Sequence, residues 1–294
     1  MRQWPPLMQK EEGGERFSGN FASLNRSKRS LVADLKDERQ VARLRELCSS
    51  ADIVLENFRP GVMERLGLGY ETLRQRNPRL VYCSLTGYGQ TGPYAKKGAF
   101  DVTVQAISGV MSVTGEEDGP PVKCGVPVAD FTAGLYAAYS SLAAYEQARR
   151  TGEGTHVDCS MLGCVLGISA LQVSEYFGTG QPPRRLGSAH PRNAPYQGFE
   201  GRDKPFAIAA GNDKLWGEVC AAVGMPELKD DPRFVTQSLR ARNQHELAAL
   251  LQPHFSRRDA TDWLAEFDRR GVPCAPVNSF ADILADRYVA EMNL

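Results

Sequence analysis

The strongest constraint on this chain's fold is the alternation, between residues 30 and 110, of short apolar runs with stretches of helical period. Leu31–Leu35 and Asp52–Glu56 read as strands, and between them Asp37–Ser49 places Val41, Leu44, Leu47 and Cys48 at helical spacing. Two strands joined through a helix form a parallel pair, because a parallel connection needs a long crossover. Asn57-Phe58-Arg59-Pro60-Gly61 then interrupts the pattern, with Pro60 placed to open a short helix. A second helix around Glu71–Arg76 stops at Asn77-Pro78, and Leu80–Thr86 is the next strand. The predicted class is α/β, with a Rossmann-like, doubly wound parallel sheet.

Further along, Asp130 stands just before a long helix read from Phe131 to Arg150, crowded with Ala, Ser and Gly and stopped by Gly152. Arg149 and Arg150 suit its negative C-terminal end. His156–Met161 reads as a strand and Leu162–Phe177 as one helix. From Gly178 to Asn193 breakers and charge give linker chemistry. A second unit of mixed α and β character follows. It has a strand at Pro205–Ala210, helices near Leu215–Val223, Glu246–Phe255 and Thr261–Arg270, an extended Val272–Val277, and a helix capped by Ser279 that runs to Leu284.

Composition narrows the function classes. The 294 residues are enough for about two domains at roughly 150 each. The 35 basic and 35 acidic side chains cancel, which argues against a nucleic-acid binder while leaving room for a local basic pocket that takes a phosphorylated ligand. No apolar run approaches the ~18 residues of a membrane span, and the polar start, Met1–Glu15, has no signal pattern. The seven cysteines include no Cys-x-x-Cys pair and read as reduced thiols, several in the core, of a cytoplasmic protein. The four histidines, 156, 190, 245 and 254, fall in no metal-ligand spacing, so no metal is expected.

Gly87-Tyr88-Gly89-Gln90-Thr91-Gly92 matches a dinucleotide fingerprint in form and follows a strand. The mechanism needs a helix to begin there, whereas Pro93–Gly98 is loop sequence, so this is a glycine-rich turn. No Gly-x-Ser-x-Gly elbow or Walker loop is present. Asp130 has two roles open to it: an N-cap, or a nucleophilic carboxylate that the helix end keeps ionised at neutral pH. Lys28, Arg29, Lys36, Arg59, Arg65 and Lys97 read singly as solvated charge and together as partners for the phosphates of one ligand. His190, before Pro191, reads as structural.

Several ordered motifs resemble the family III CoA-transferases. They are Glu56–Gly61, Leu85–Pro93, Phe100–Gly109, Val128-Ala129-Asp130-Phe131-Thr132-Ala133-Gly134, Thr151-Gly152-Glu153-Gly154, His190–Gln197 and Ala210-Gly211-Asn212-Asp213. The resemblance covers nearly the whole chain, and within the family the succinate–hydroxymethylglutarate CoA-transferase group looks most similar. It implies a large Rossmann-like domain with a smaller α+β domain inserted late. On this sequence that gives residues 1–177 as part of the large domain, 178–193 as linker, 194–277 as the small domain and 278–294 as the start of a return to the large domain.

The resemblance also implies an activity. Asp130 matches the catalytic aspartate, which carries CoA covalently between a donor such as succinyl-CoA and a carboxylic acid. Lys36, Asn57, Phe58 and Arg65 match places that line the CoA site, Lys97 lies one residue from a matching basic position, and Asp101 matches an acidic position near the catalytic centre. It further implies CoA thioester as substrate, no permanently bound cofactor, and an interlocked homodimer. Related racemases use a histidine in the segment matching Gly98–Asp101, which here reads Gly-Ala-Phe-Asp, so racemase chemistry is disfavoured. Family chains begin with a further strand–helix unit and continue through a closing segment, neither of which is found here. The alternative reading is accordingly a non-catalytic remnant that binds acyl-CoA or pairs with another chain.

Overall fold

A computed structural model describes residues 2–9 and 14–294; Met1 and residues 10–13 of the polar start lie outside the described residues. The chain divides into two compact units, one formed by Met1–Lys96 with Tyr136–Cys159, the other by Lys97–Leu135 with Ser160–Leu294.

The first unit is built on a three-stranded sheet with Val81–Thr86 in the centre, Ile53–Glu56 on one side and His156–Ser160 on the other. Ile53–Glu56 runs parallel to Val81–Thr86, with Ile53 opposite Val81 and Glu56 opposite Ser84. The central strand is buried on both faces, which explains its unbroken apolar run. Tyr82 packs on one side with Val41, Val54, Met63, Leu68, Leu73 and Leu80, while Val81 packs on the other with Ala144 and Ala148. Helix Glu38–Ser49 supplies Val41 to the first face, and the second half of helix Val128–Thr151 supplies the alanines to the second. This is the α/β layering expected from the sequence, but its parallel pair is not the one expected. Leu31–Leu35 forms no strand, and Leu31 and Val32 are 68% and 92% exposed. An apolar run becomes a strand only beside a neighbour that takes its backbone bonds, and among the described residues none lies next to it. The crossover instead runs from Ile53–Glu56 through the short helices Val62–Arg65 and Tyr70–Arg74 to Val81–Thr86. Pro60 lies before the cap, Gly61, and not within the first turn.

Helix Val128–Thr151 ends where Gly152 takes a positive φ of 79°. Two residues on, a β-carbon on Gly154 would stand 2.0 Å from the Leu80 carbonyl oxygen, and the Gly154 N–H donates to the Pro78 carbonyl at 2.7 Å. The Thr-Gly-Glu-Gly motif is therefore a close crossing of two backbones at the start of the central strand. Gly154→Ala is expected to destabilise the protein by about 2 kcal/mol, read as a lowered thermal midpoint. An unchanged midpoint would contradict the close crossing.

In the second unit, helix Asp101–Ile107 leads to a short 3-10 turn, Val110–Val113. The single helix expected over Leu162–Phe177 is two helices, Met161–Ile168 and Ala170–Thr179, bent by 69°. At the break Ser169 leaves helical geometry, and both its N–H and its hydroxyl donate to the Val165 carbonyl. Taken singly, no helix among the described residues is long and apolar enough to cross a membrane. Further on, the antiparallel strands Tyr196–Glu200, Pro205–Ala209 and Cys274–Pro276 form a sheet in that order. Helices Asp213–Val223, Gln244–Phe255 and Ala260–Arg270 share a core with it, made largely of Phe199, Phe206, Trp216, Phe255, Trp263 and Phe267. Ser279 caps Phe280–Leu284 as expected, and a helix over Arg287–Met292 was not foreseen.

Candidate active site

At the carboxyl end of the parallel strands two loops are tied down by side chains. Buried Glu56 accepts the Phe58 N–H at 2.7 Å, and the Asn57 amide donates to the Leu85 carbonyl at 2.5 Å, joining the ends of neighbouring strands. Phe58 is left 44% exposed. The glycine-rich turn beyond Val81–Thr86 is held by Thr86, whose hydroxyl accepts the Gly89 N–H, and by Asp158 of the next strand, which accepts the Gln90 N–H at 2.9 Å. Gly89 has φ +91°, a conformation that suits glycine. No helix starts at this turn, in keeping with its reading as a turn and not a dinucleotide site. Arg65 is exposed at the end of Val62–Arg65, and Lys36 is exposed in the turn before Glu38–Ser49. All four proposed CoA-site residues of the first unit thus stand on loops or helix ends.

In the second unit Lys97 is exposed in the loop before Asp101–Ile107. Asp101 and Asp130 are brought together. Asp130 is exposed, in the third position of helix Val128–Thr151, so it is not the N-cap residue. The helix-start amide is taken from outside: Asp101 accepts the Ala129 N–H at 2.9 Å. Its other oxygen accepts from the Gln105 amide at 2.6 Å, and fully buried Gln105 accepts the Cys124 N–H at 2.8 Å. Neither Gln105 nor the role of Asp158 was foreseen. The available signal for Gln105 was its i,i+4 spacing from Asp101, which becomes a contact once that stretch is a helix.

The charge environment of Asp130 also differs from expectation. Partial desolvation, followed by the negative charge of Asp101, raises its carboxyl above the ordinary aspartate value. A carboxyl raised on folding favours the folded state while protonated and costs stability once pH climbs through the window above the unfolded value of 3.8. Asp130→Asn is therefore expected to raise the thermal midpoint at pH 7, the gain shrinking to nothing in acid below about pH 4. A gain that grew on acidification would reverse the assigned sign.

Among the described residues there is no cluster of three or more His, Cys, Asp or Glu able to hold a metal. His190 stacks flat on Tyr196 at 5.0 Å, and its Nδ1 accepts the Arg192 N–H, a structural arrangement. None of the seven cysteines is in a disulfide, and Cys83, Cys159, Cys164 and Cys220 are buried.

An α/β chain with a paired-carboxylate helix start fits a group-transfer enzyme. The comparisons agree. The profile of CoA-transferase family III matches residues 1–294. A succinate–glutarate CoA-transferase of Agrobacterium fabrum is 39% identical over 294 residues, all of this chain and 74% of that protein. An acetyl-CoA:oxalate CoA-transferase of Acetobacter aceti is 42% identical over 89% of this chain and 68% of that protein. A CAIB/BAIF family protein from Brucella suis superimposes with a TM-score of 0.86 at 41% identity, over 99% of this chain and 76% of that one. The chain belongs to CoA-transferase family III, and it is a CoA-transferase.

Proposed function

We propose that this chain moves CoA from an acyl-CoA donor such as succinyl-CoA to a free carboxylic or dicarboxylic acid, with Asp130 as the covalent carrier. The observation that carries the reading is an exposed carboxylate at a helix start beside a second carboxylate whose oxygens are both engaged. The names of the relatives from Agrobacterium fabrum and Acetobacter aceti, which pair succinate with glutarate and acetyl-CoA with oxalate, support it.

In this mechanism an Asp130 oxygen attacks the donor thioester carbonyl, the C–S bond breaks, and CoA leaves as thiolate from a mixed anhydride. The thiolate attacks the aspartyl carbonyl, releasing the donor acid and leaving an aspartyl-CoA thioester. The acceptor carboxylate attacks that carbonyl and expels the thiolate, forming a second anhydride. Attack of the thiolate on the acceptor-derived carbonyl yields the new acyl-CoA and frees Asp130. One thioester is exchanged for another without a net proton or electron. A carboxylate whose proton affinity is raised is the better nucleophile for the first step.

Within the first unit Lys36 and Arg65 would meet the phosphates of CoA, Phe58 would offer a ring to its apolar parts, and Asn57 would hold the loop that carries Phe58. The enzyme is taken to work as a homodimer in the cytoplasm, a compartment in keeping with cysteines outside disulfides. Its domains follow the division at 178–193, a layout favoured by the self-contained core drawn from residues between Ala194 and Val272.

The test is incubation of the purified chain with succinyl-CoA and a panel of dicarboxylates, with acyl-CoA products followed by mass spectrometry. A new acyl-CoA species is expected and would name the acceptor. No exchange from a sample shown to be folded would overturn the reading in favour of a non-catalytic remnant.

A further inference from the structure

We propose that Gln105 is a positioning residue for the transfer reaction: its amide ties Asp101 to the segment leading into helix Val128–Thr151 and so fixes where the Asp130 carboxylate stands. The inference rests on the reading of Asp130 as carrier. Gln105 is fully buried and uses both ends of its side chain, donating to Asp101 at 2.6 Å and accepting the Cys124 N–H at 2.8 Å. Asp101 passes the restraint on through the Ala129 N–H at 2.9 Å, one residue before Asp130. Two side chains of one helical turn thus pin residues 124 and 129, the two ends of the stretch that aims Asp130.

The arrangement has a chemical consequence beyond packing. Asp101 accepts two donors, one on each oxygen, which fixes the orientation of its carboxyl group beside Asp130. Its fixed charge beside Asp130 disfavours the carboxylate resting state of the carrier relative to the neutral acyl forms made during turnover. The neighbours of helix Asp101–Ile107 do not compete for this role. Met161–Ile168 and Val110–Val113, both packed against it, carry no Asp, Glu, Lys, Arg or His, and Cys164 is the one titratable side chain they bring.

Two variants and two readouts test the proposal. Gln105→Met removes both bonds at similar volume. It is expected to lower kcat for CoA transfer about tenfold or more while leaving KM for succinyl-CoA within about twofold. Independently of turnover, amide hydrogen exchange over residues 124–130 should speed up while the core built from Ala194 to Val272 stays protected. Should Gln105→Met fail to fold, Gln105→Glu decides. A protonated glutamic acid can still donate to Asp101 whereas a glutamate cannot, so the ratio of its kcat to the parent's should fall as pH rises. Unchanged exchange over 124–130 in a folded Gln105→Met, or a Gln105→Glu ratio that stays flat with pH, overturns the proposal. Failure of the underlying reading looks different: Asp130→Asn would then retain turnover whatever the Gln105 variants do.

Discussion

Replacing Asp130 by alanine is expected to lower kcat for CoA exchange by about three orders of magnitude or more while acyl-CoA still binds. The size follows from covalent catalysis, in which removal of the carrier removes the route and not one stabilising contact. It also follows from the neighbourhood. Asp101, the other carboxylate of the network, is committed to orienting the helix start: its two oxygens accept the Ala129 N–H and the Gln105 amide. The measurement is steady-state transfer from succinyl-CoA by parent and variant, alongside direct binding of CoA by calorimetry. Turnover at the parent rate would remove Asp130 from the chemistry. Loss of binding together with turnover would show that the substitution had disturbed the CoA site and not the carrier.

The second large effect lies far from the chemistry in sequence. Arg240 has a fully buried side chain, with Nε donating to the Ala194 carbonyl at 3.0 Å, one terminal nitrogen donating to the Phe234 carbonyl at 3.0 Å, and the other meeting Asp213 at 2.6 Å. The guanidinium also lies 5.7 Å from the Trp216 ring centroid. Asp213 is 70% exposed, so the ion pair itself contributes little. The two carbonyls matter more, because they lose their donor in the interior when the guanidinium is removed. Arg240→Ala is expected to cost about 3–5 kcal/mol, from two unsatisfied carbonyls together with the lost volume. Arg240→Lys should recover little, since an ammonium cannot span three directed partners as the planar fork does. Urea denaturation reads both variants. A cost below about 1 kcal/mol for Arg240→Ala would mean the segments around Ala194 and Phe234 hold without it.

Arg240 also marks where sequence reading stops. In the string it is one of several arginines near a helix end, and only the approach of residues 194, 213 and 234 from elsewhere in the chain gives it three partners. Gln105 is the same case at the active site. By contrast Ser279 caps the helix that follows it, as its type and position indicate, while Asp37, Ser160 and Asn212 cap theirs by the same kind of side-chain bond without having been read as caps.

What the sequence determined by itself is therefore local or cumulative. Helix period and caps act within a few residues, so Glu38–Ser49, Asp213–Val223 and Ala260–Arg270 were legible. The ordered motifs from Glu56 to Asp213 were enough together to place the family. Tertiary structure decided what depends on neighbours across space. Leu31–Leu35 has strand composition but, among the described residues, no strand beside it, and Ser169 breaks what reads as one helix. Asp130 stands at a helix start, as its position indicates, yet Asp101 accepts the helix-start amide, and partial desolvation followed by the Asp101 charge raises the proton affinity of Asp130 where the helix end alone would lower it. Backbone pairing and the sign of a charge's environment are sums over atoms distant in the chain, and those sums exist only once the chain has folded.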